Sequence, residues 1–245
     1  MTTFPRVLII LSTLLLSGGQ ALADGILVLG ATGQLGARVV KLLIDQSEDV
    51  TVLVRASSDR SRLDELEVEY VIGDMMDESS INAAFKGRSY RAVINTARAP
   101  TELQNFYRLS STYIANAARM SGVKQIIHHG AVGAGSNMAL HPDVPWARVP
   151  NLLPRMMDHG VAEEVFFSSG IPTTIIRNSR VWPDDTEPSG NAVMTEDRTV
   201  MTPITRADLA RFTMECLDND ACYGKVYHNQ DDSLTWPPPS FGEGE

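Results

Sequence analysis

The chain has 245 residues, 43% of them hydrophobic, and its 30 acidic against 21 basic side chains give a formal net charge of -9. That length supports one substantial core and leaves little room for a second full domain. The acidic balance argues against a nucleic-acid partner, because affinity for a phosphate backbone rests on clustered Lys and Arg. A small-molecule ligand is expected instead.

Residues 1–23 hold a single charge, Arg6, then an apolar run over 7–16 broken by Ser12 and Thr13, and end in Ala21, Leu22 and Ala23. This is the layout of a secretory signal peptide cleaved after Ala23, which implies export to a periplasm or secretory lumen. The run is short for a membrane span, which needs about 20 apolar residues. A retained N-terminal anchor, or a cytoplasmic protein whose start codon is set too far upstream, are the alternatives. Any membrane association rests on residues 1–23, which lack the twin-Arg motif of folded-protein export.

From Gly25 onward, short β-branched runs alternate with helical spacing. Strands are predicted over 26–29, 50–54, 68–72, 92–95, 125–128, 173–177 and 225–228. Between them Leu35, Val39, Leu42 and Leu43 repeat at helical spacing, residues 103–120 form a long helix, and Ala207, Leu209, Ala210 and Phe212 open a late one. Apolar strands alternating with helices specify an α/β fold with a doubly wound parallel sheet covered on both faces. Two long loops, 130–150 and 182–202, follow strands at the carboxyl edge of the sheet, where they are expected to wall a pocket. Trp146 and Trp182 lie in these loops and could stack on a planar ligand. Residues 24–230 therefore read as a single α/β domain, and 231–245, with Pro237, Pro238 and Pro239, as an extended or disordered tail.

The segment GATGQLG places Gly30, Gly33 and Gly36 after the first strand and at the mouth of an amphipathic helix. Glycines there permit a tight turn and close backbone approach, and a helix N-terminus attracts a pyrophosphate. Gly30, Thr32, Gly33, Gln34 and Leu35 are the candidate phosphate-binding residues. The second strand ends in Arg55, followed by Ser57 and Ser58, with no acidic residue to take a ribose hydroxyl. An Arg in that place accommodates a 2'-phosphate, so NADP(H) is expected over NAD(H). Arg60 and Arg62 fit a solvated turn. Asp74 and Met75 follow the third strand, Asp74 being placed to accept from an adenine amino group or simply to start a turn. After the fourth strand Thr96 lines the crevice, and Arg98 is a phosphate contact or a surface residue beside a turn.

His128, His129 and His141 lack a metal-ligand spacing and a clustered carboxylate, so no metal is expected. Cys216 and Cys222 are the only cysteines; they pair in an oxidising compartment or remain thiols in a reducing one.

The segments GATGQLG, VTVLVR, VIGDMMD, HGVAEEVFFSSGIPTTIIR and ITRADLARFTMECL together resemble the atypical short-chain dehydrogenase/reductase superfamily. Within it the chain is similar to the flavin reductase/biliverdin reductase B-like (NmrA-like) type. The resemblance implies a Rossmann-like, NAD(P)-binding domain. Ordinary members use a Tyr as proton donor with a Lys four residues on, but none of the six tyrosines here has that partner. The two positions fall at Arg155 and His159, and the family Ser after the fifth strand falls at Ala131.

The flavin reductase-like group also lacks the Tyr/Lys pair and has a His in the segment that matches His159. The resemblance thus implies an NADPH-dependent oxidoreductase passing a hydride to a planar conjugated acceptor (a flavin, quinone or bilin), with His159 as a substrate or proton contact or as a packed helix residue. A non-catalytic NADP(H)-binding redox sensor or assembly scaffold is the alternative. A third reading is an exported protein that has turned the scaffold to another ligand.

Overall fold

A computed structural model of the chain describes residues 24–100, 103–182 and 187–235. The signal or anchor read in 1–23, part of the second long loop at 183–186 and the tail from 236 to 245 lie outside the described residues.

Among the described residues ten strands and five α-helices follow one another as β1 (Gly25–Leu29), α1 (Gln34–Asp45), β2 (Val50–Val54), β3 (Glu69–Ile72), α2 (Glu78–Phe85), β4 (Tyr90–Asn95), α3 (Phe106–Met120), β5 (Gln125–Ala131), α4 (Leu152–Ser168), β6 (Thr173–Asn178), β7 (Arg180–Val181), β8 (Val193–Thr195), β9 (Pro203–Ile204), α5 (Arg206–Cys216) and β10 (Val226–Gln230). Eight strands form one sheet in the order β3-β2-β1-β4-β5-β6-β10-β8, and β7 pairs with β9 in a small second sheet. All pairings in the main sheet are parallel except β10 with β8. This is the doubly wound, Rossmann-like arrangement, and the strand order reverses between β1 and β4, where such sheets open a crevice.

Every residue of β1 and β2 is buried, as strands covered on both faces must be. Helices α1 and α5 pack together on one side; α2, α3 and α4 pack in sequence on the other. The first layer closes over Val28, Val39, Leu43 and Phe212, the second over Leu27, Ile81, Ile114 and Phe166. Helix α2 starts where the Asp77 side chain accepts from the amides of Ser79 and Ser80. Among the described residues no helix is long and apolar enough to cross a membrane.

The loops carry more structure than their composition suggests. The first contains the end of β5 and a 3-10 helix, Gly135–Leu140. The second contributes β8, which lies antiparallel on β10 in the register His228 to Thr195. The beginning of the presumed tail is anchored: Asp231 is buried, its amide donates to Thr202 Oγ1 at 2.7 Å, and Ser233 receives a hydrogen bond from Asn191.

Cys216, at the end of α5, forms a disulfide with Cys222 in a second 3-10 helix, Asp220–Cys222. The bridge closes a short loop, so its expected effect comes from restricting the unfolded chain. Reduction should lower the unfolding free energy by roughly 2 kcal/mol. Urea unfolding of the alkylated, reduced protein against the oxidised protein measures this; equal midpoints would show that the bridge adds nothing.

Candidate functional site: a cleft at the carboxyl edge of the sheet

A cleft of about 740 Å³ runs along the carboxyl ends of the central strands, from the turn after β1 to the ends of β5 and β6. Its two ends are built by different means.

At the first end the backbone does the shaping. Gly30 has φ +78, a conformation that side chains rarely adopt, and a Cβ on Gly36 would fall 2.2 Å from the Gly30 carbonyl oxygen. The helix therefore begins in contact with the turn. Gly33 occupies the N-cap of α1 without a capping side chain, and the first turn holds no acid. The amides of that turn are left facing an opening, which suits a phosphate group. Gly30, Thr32, Gly33, Gln34 and Leu35 all line the cleft here.

Next along the wall come Arg55 and Ser58, joined by a turn in which the Ser58 amide donates to the Arg55 carbonyl at 3.0 Å. Ser57, between them, is not among the lining residues. Asp74 and Met75 line the cleft after β3, but Asp74 Oδ1 already accepts from the Met76 amide at 2.9 Å. Asp74 thus forms its local turn and still presents an edge to the cleft. Thr96 ties the end of β4 to β1 by donating both its amide and its hydroxyl to the Leu29 carbonyl, at 3.0 and 2.9 Å. Thr96 and the exposed Arg98 complete this wall.

At the second end side chains do the shaping. Ala131, Arg155 and His159, the positions of the family's Ser, Tyr and Lys, line the same cleft. Arg155 Nη2 donates to the Ala99 carbonyl at 2.6 Å. The His159 ring stacks on Tyr107 with centroids 3.6 Å apart and planes at 27°. Burial, with the Arg155 charge one helical turn away adding to it, pushes the His159 imidazole down to about 3. His159 is therefore neutral near pH 7, and its Nδ1 is buried without a hydrogen-bond partner. It can stack, accept or donate a neutral N–H, but it does not hold an imidazolium proton at that pH.

Sequence spacing does not reveal Tyr107, His129 and Asn178, which the fold brings in from α3, β5 and β6. His129 bridges Asn178 Oδ1 at 3.0 Å and Thr213 Oγ1 at 2.8 Å. Its neighbour His128 points to the opposite face and packs on Phe166, both ring nitrogens without partners. Adjacent strand residues cannot converge on one ion, and among the described residues no three His, Cys, Asp or Glu gather as metal ligands. Neither of the two loop tryptophans lines the cleft: Trp146 packs on Gly133 and donates its Nε1–H to the His141 carbonyl at 3.0 Å, and the Trp182 amide donates to the Ile204 carbonyl.

Residues 30–220 match the NAD(P)H-binding family. The chain belongs to that family. It is 34% identical over 113 residues to sterol demethylase protein B of Methylococcus capsulatus, a stretch covering 44% of this chain and 34% of that protein. It is 23% identical over 213 residues to the photosystem II assembly factor Ycf39 of Synechocystis, covering 82% of this chain and 61% of the relative. The chain thus spans about a third of the first relative's length and about three fifths of the second's. Among solved structures it resembles ChuY, an anaerobilin reductase from Escherichia coli O157:H7, with TM-score 0.75 and 20% identity over 87% of this chain and all of that one. It also resembles a short-chain dehydrogenase/reductase from Veillonella parvula solved with NADP, with TM-score 0.68 and 15% identity over 89% of this chain and 99% of that one. These likenesses establish the shared fold.

The family's fold fits the residues at the first end: an uncapped helix start, a turn with no room for a Cβ at Gly30 or Gly36, and an Arg at the end of β2. Gly30, Thr32, Gly33, Gln34 and Leu35 would hold the pyrophosphate of a bound dinucleotide.

The buried histidines make stability depend on pH. Burial pushes His128 well below its ordinary 6.5 and His129 down to about 4, against the weaker upward pull of Asn178 on the latter. In the unfolded chain these groups bind protons near pH 6.5, so the folded state loses stability as pH falls from there through about 4. For His129 alone the loss amounts to about 3 kcal/mol. Urea midpoints should fall across that window, and His128→Leu should reduce the slope without lowering the midpoint at neutral pH. A flat profile would show that folding does not hold these imidazoles neutral, and a large loss of stability in His128→Leu at neutral pH would show that the His128 ring has a polar partner when folded.

Proposed function

We propose that the protein is an NADPH-dependent reductase that transfers a hydride to a planar conjugated acceptor, a flavin, quinone or bilin, without a Tyr/Lys dyad. The observation that carries this reading is the joining of the glycine turn and uncapped helix to a compartment walled by the stacked Tyr107 and His159. Bound NADPH supplies the hydride at nicotinamide C4. The protein's share is binding and orientation, since a flat electron-poor acceptor needs little covalent help from side chains. Arg55 lies where a 2'-phosphate is read and supports NADP(H) over NAD(H). The ChuY likeness adds a protein of this fold that is an anaerobilin reductase.

The test is NADPH oxidation with FMN and quinone acceptors, together with NADPH binding by fluorescence. Gly33→Asp is the informative variant. Asp is a good N-cap, so α1 should remain folded while its carboxylate repels the phosphates; binding and turnover should fall at least about 100-fold, two decades being about 2.7 kcal/mol. Arg55→Asp should weaken NADPH and spare NADH. No turnover with any such acceptor would sink the reductase reading.

Arg155 and His159 favour a second reading, a non-catalytic NADP(H) sensor or assembly scaffold, because neither offers an acidic proton at neutral pH. Saturable binding without turnover would select it. For location we propose export, a reading supported by the Cys216–Cys222 bridge, since such bonds persist in oxidising compartments. Mass spectrometry of the native protein should find Asp24 as the first residue; a retained N-terminus would refute export by a cleaved signal.

A further inference from the structure

Tyr107 belongs to α3, far in sequence from Arg155 and His159 on α4, yet it lines the same cleft. Its ring is held on two sides: stacked on His159 at 3.6 Å and edge-on against Phe106 at 5.2 Å, with planes at 89°. Its hydroxyl oxygen accepts a hydrogen bond from the Ala99 amide at 3.1 Å. Ala99 lies between Arg98 and Pro100, which both line the cleft, and its own carbonyl is fixed by Arg155. The hydroxyl therefore sits beside the cleft wall with one lone pair occupied.

A phenol also has one hydrogen to donate, and buried polar hydrogens are normally donated. Tyr107 is 5% exposed, and among the described residues nothing accepts its hydrogen. The one other titratable ring beside it, His159, is stacked on its face and so is not in line with the O–H. Tyr107 is thus a fixed donor lacking an acceptor among the described residues, beside the His159 imidazole that is neutral near pH 7.

We infer that the Tyr107 hydroxyl is the proton donor to the acceptor, and that the preferred acceptor carries a conjugated carbonyl oxygen of the quinone type. This rests on the reductase reading above. Once the acceptor has gained a hydride, with its two electrons, it is an anion with charge on that oxygen. The Tyr107 O–H bond then breaks as a new O–H bond forms on the acceptor oxygen, leaving a neutral hydroquinone. The Ala99 N–H, already aimed at the Tyr107 oxygen, meets the charge that develops there. Water returns the proton to the phenolate. A flavin takes its protons on ring nitrogens and gains less from a donor aimed at a carbonyl.

The experiment compares the full chain with Tyr107→Phe, which keeps the ring and both stacking contacts. NADPH binding should be unchanged, and thermal unfolding should move to a somewhat lower temperature because the buried Ala99 amide loses its acceptor. Turnover with a water-soluble naphthoquinone should drop about 10²–10⁴-fold, and turnover with FMN should drop much less. The Raman carbonyl band of the bound naphthoquinone, recorded without NADPH, should lie lower in the wild-type complex than in the variant, because a hydrogen bond weakens the C=O bond. The alkaline limb of the wild-type pH profile should coincide with the one tyrosine ionisation that disappears from the ultraviolet difference titration of the variant. Quinone turnover within twofold of wild type, or an unshifted carbonyl band, overturns the assignment and leaves the reductase reading standing. A wild-type chain that reduces neither acceptor overturns both.

Discussion

The cleft depends on an ion pair that never reaches it. Arg177 on β6 and Glu163 on α4 meet in the interior through two hydrogen bonds, Nε to Oε1 at 3.1 Å and Nη2 to Oε2 at 2.7 Å, with both side chains about 5% exposed. Buried charges are tolerated only when paired with good geometry, and here a third contact helps, Arg177 Nη1 approaching His228 Nε2 at 3.5 Å. Room for the carboxylate comes from β5: a Cβ on Gly130 would stand 2.7 Å from Glu163 Oε1. The pair fixes α4 against the sheet in one rotation and height. Arg155, Met156 and His159 lie on the preceding turns of that helix, so the wall they form follows from a contact in the core.

The two ends of the cleft therefore answer to different constraints. The first is set by a contact between a turn and the helix that immediately follows it, where the Gly36 position touches the Gly30 carbonyl. The second is set by packing between α3 and α4, helices that β5 and a long loop separate in the chain. Changes at the second end can alter what is bound there while the first end persists. One fold can in this way serve many acceptors, and it is the side chains of the second end that bear on chemistry.

This division also explains what the sequence reveals. The strand-turn-helix unit, Arg55 at the end of β2 and Asp74 after β3 are local features, and all of them border the cleft. The sheet follows from runs such as 50–54, which are apolar because both faces are covered. Tyr107 is invisible to the same reading, because a search for Lys four residues after each Tyr assumes that donor and partner share a helix. The structure sets Tyr107 beside His159 from a different helix, and that neighbourhood is tertiary. Strand β8 has only three residues and owes its conformation to β10, so no periodicity announces it. The eight-residue α2 is too short for a periodic signal, though Asp77 followed by Glu78, Ser79 and Ser80 is a readable helix start. The cysteine spacing was compatible with a bridge, but only the juxtaposition of α5 with the 3-10 helix after it brings the two Cα atoms to 5.5 Å.

Charge shows why a whole-chain property bears weakly on a site. The chain carries a net -9, which argues against a polyanionic partner spread over its surface. The cleft nevertheless counts Arg55, Arg98, Arg155 and Arg206 among its lining residues, against a single carboxylate, Asp74. At physiological ionic strength exposed charges are screened beyond about 8 Å, so a ligand inside the cleft responds to these arginines far more than to acids on distant helices. The local excess suits a ligand that brings its own negative charge. A dinucleotide phosphate meets that requirement, and so would the acceptor of the proposed reductase.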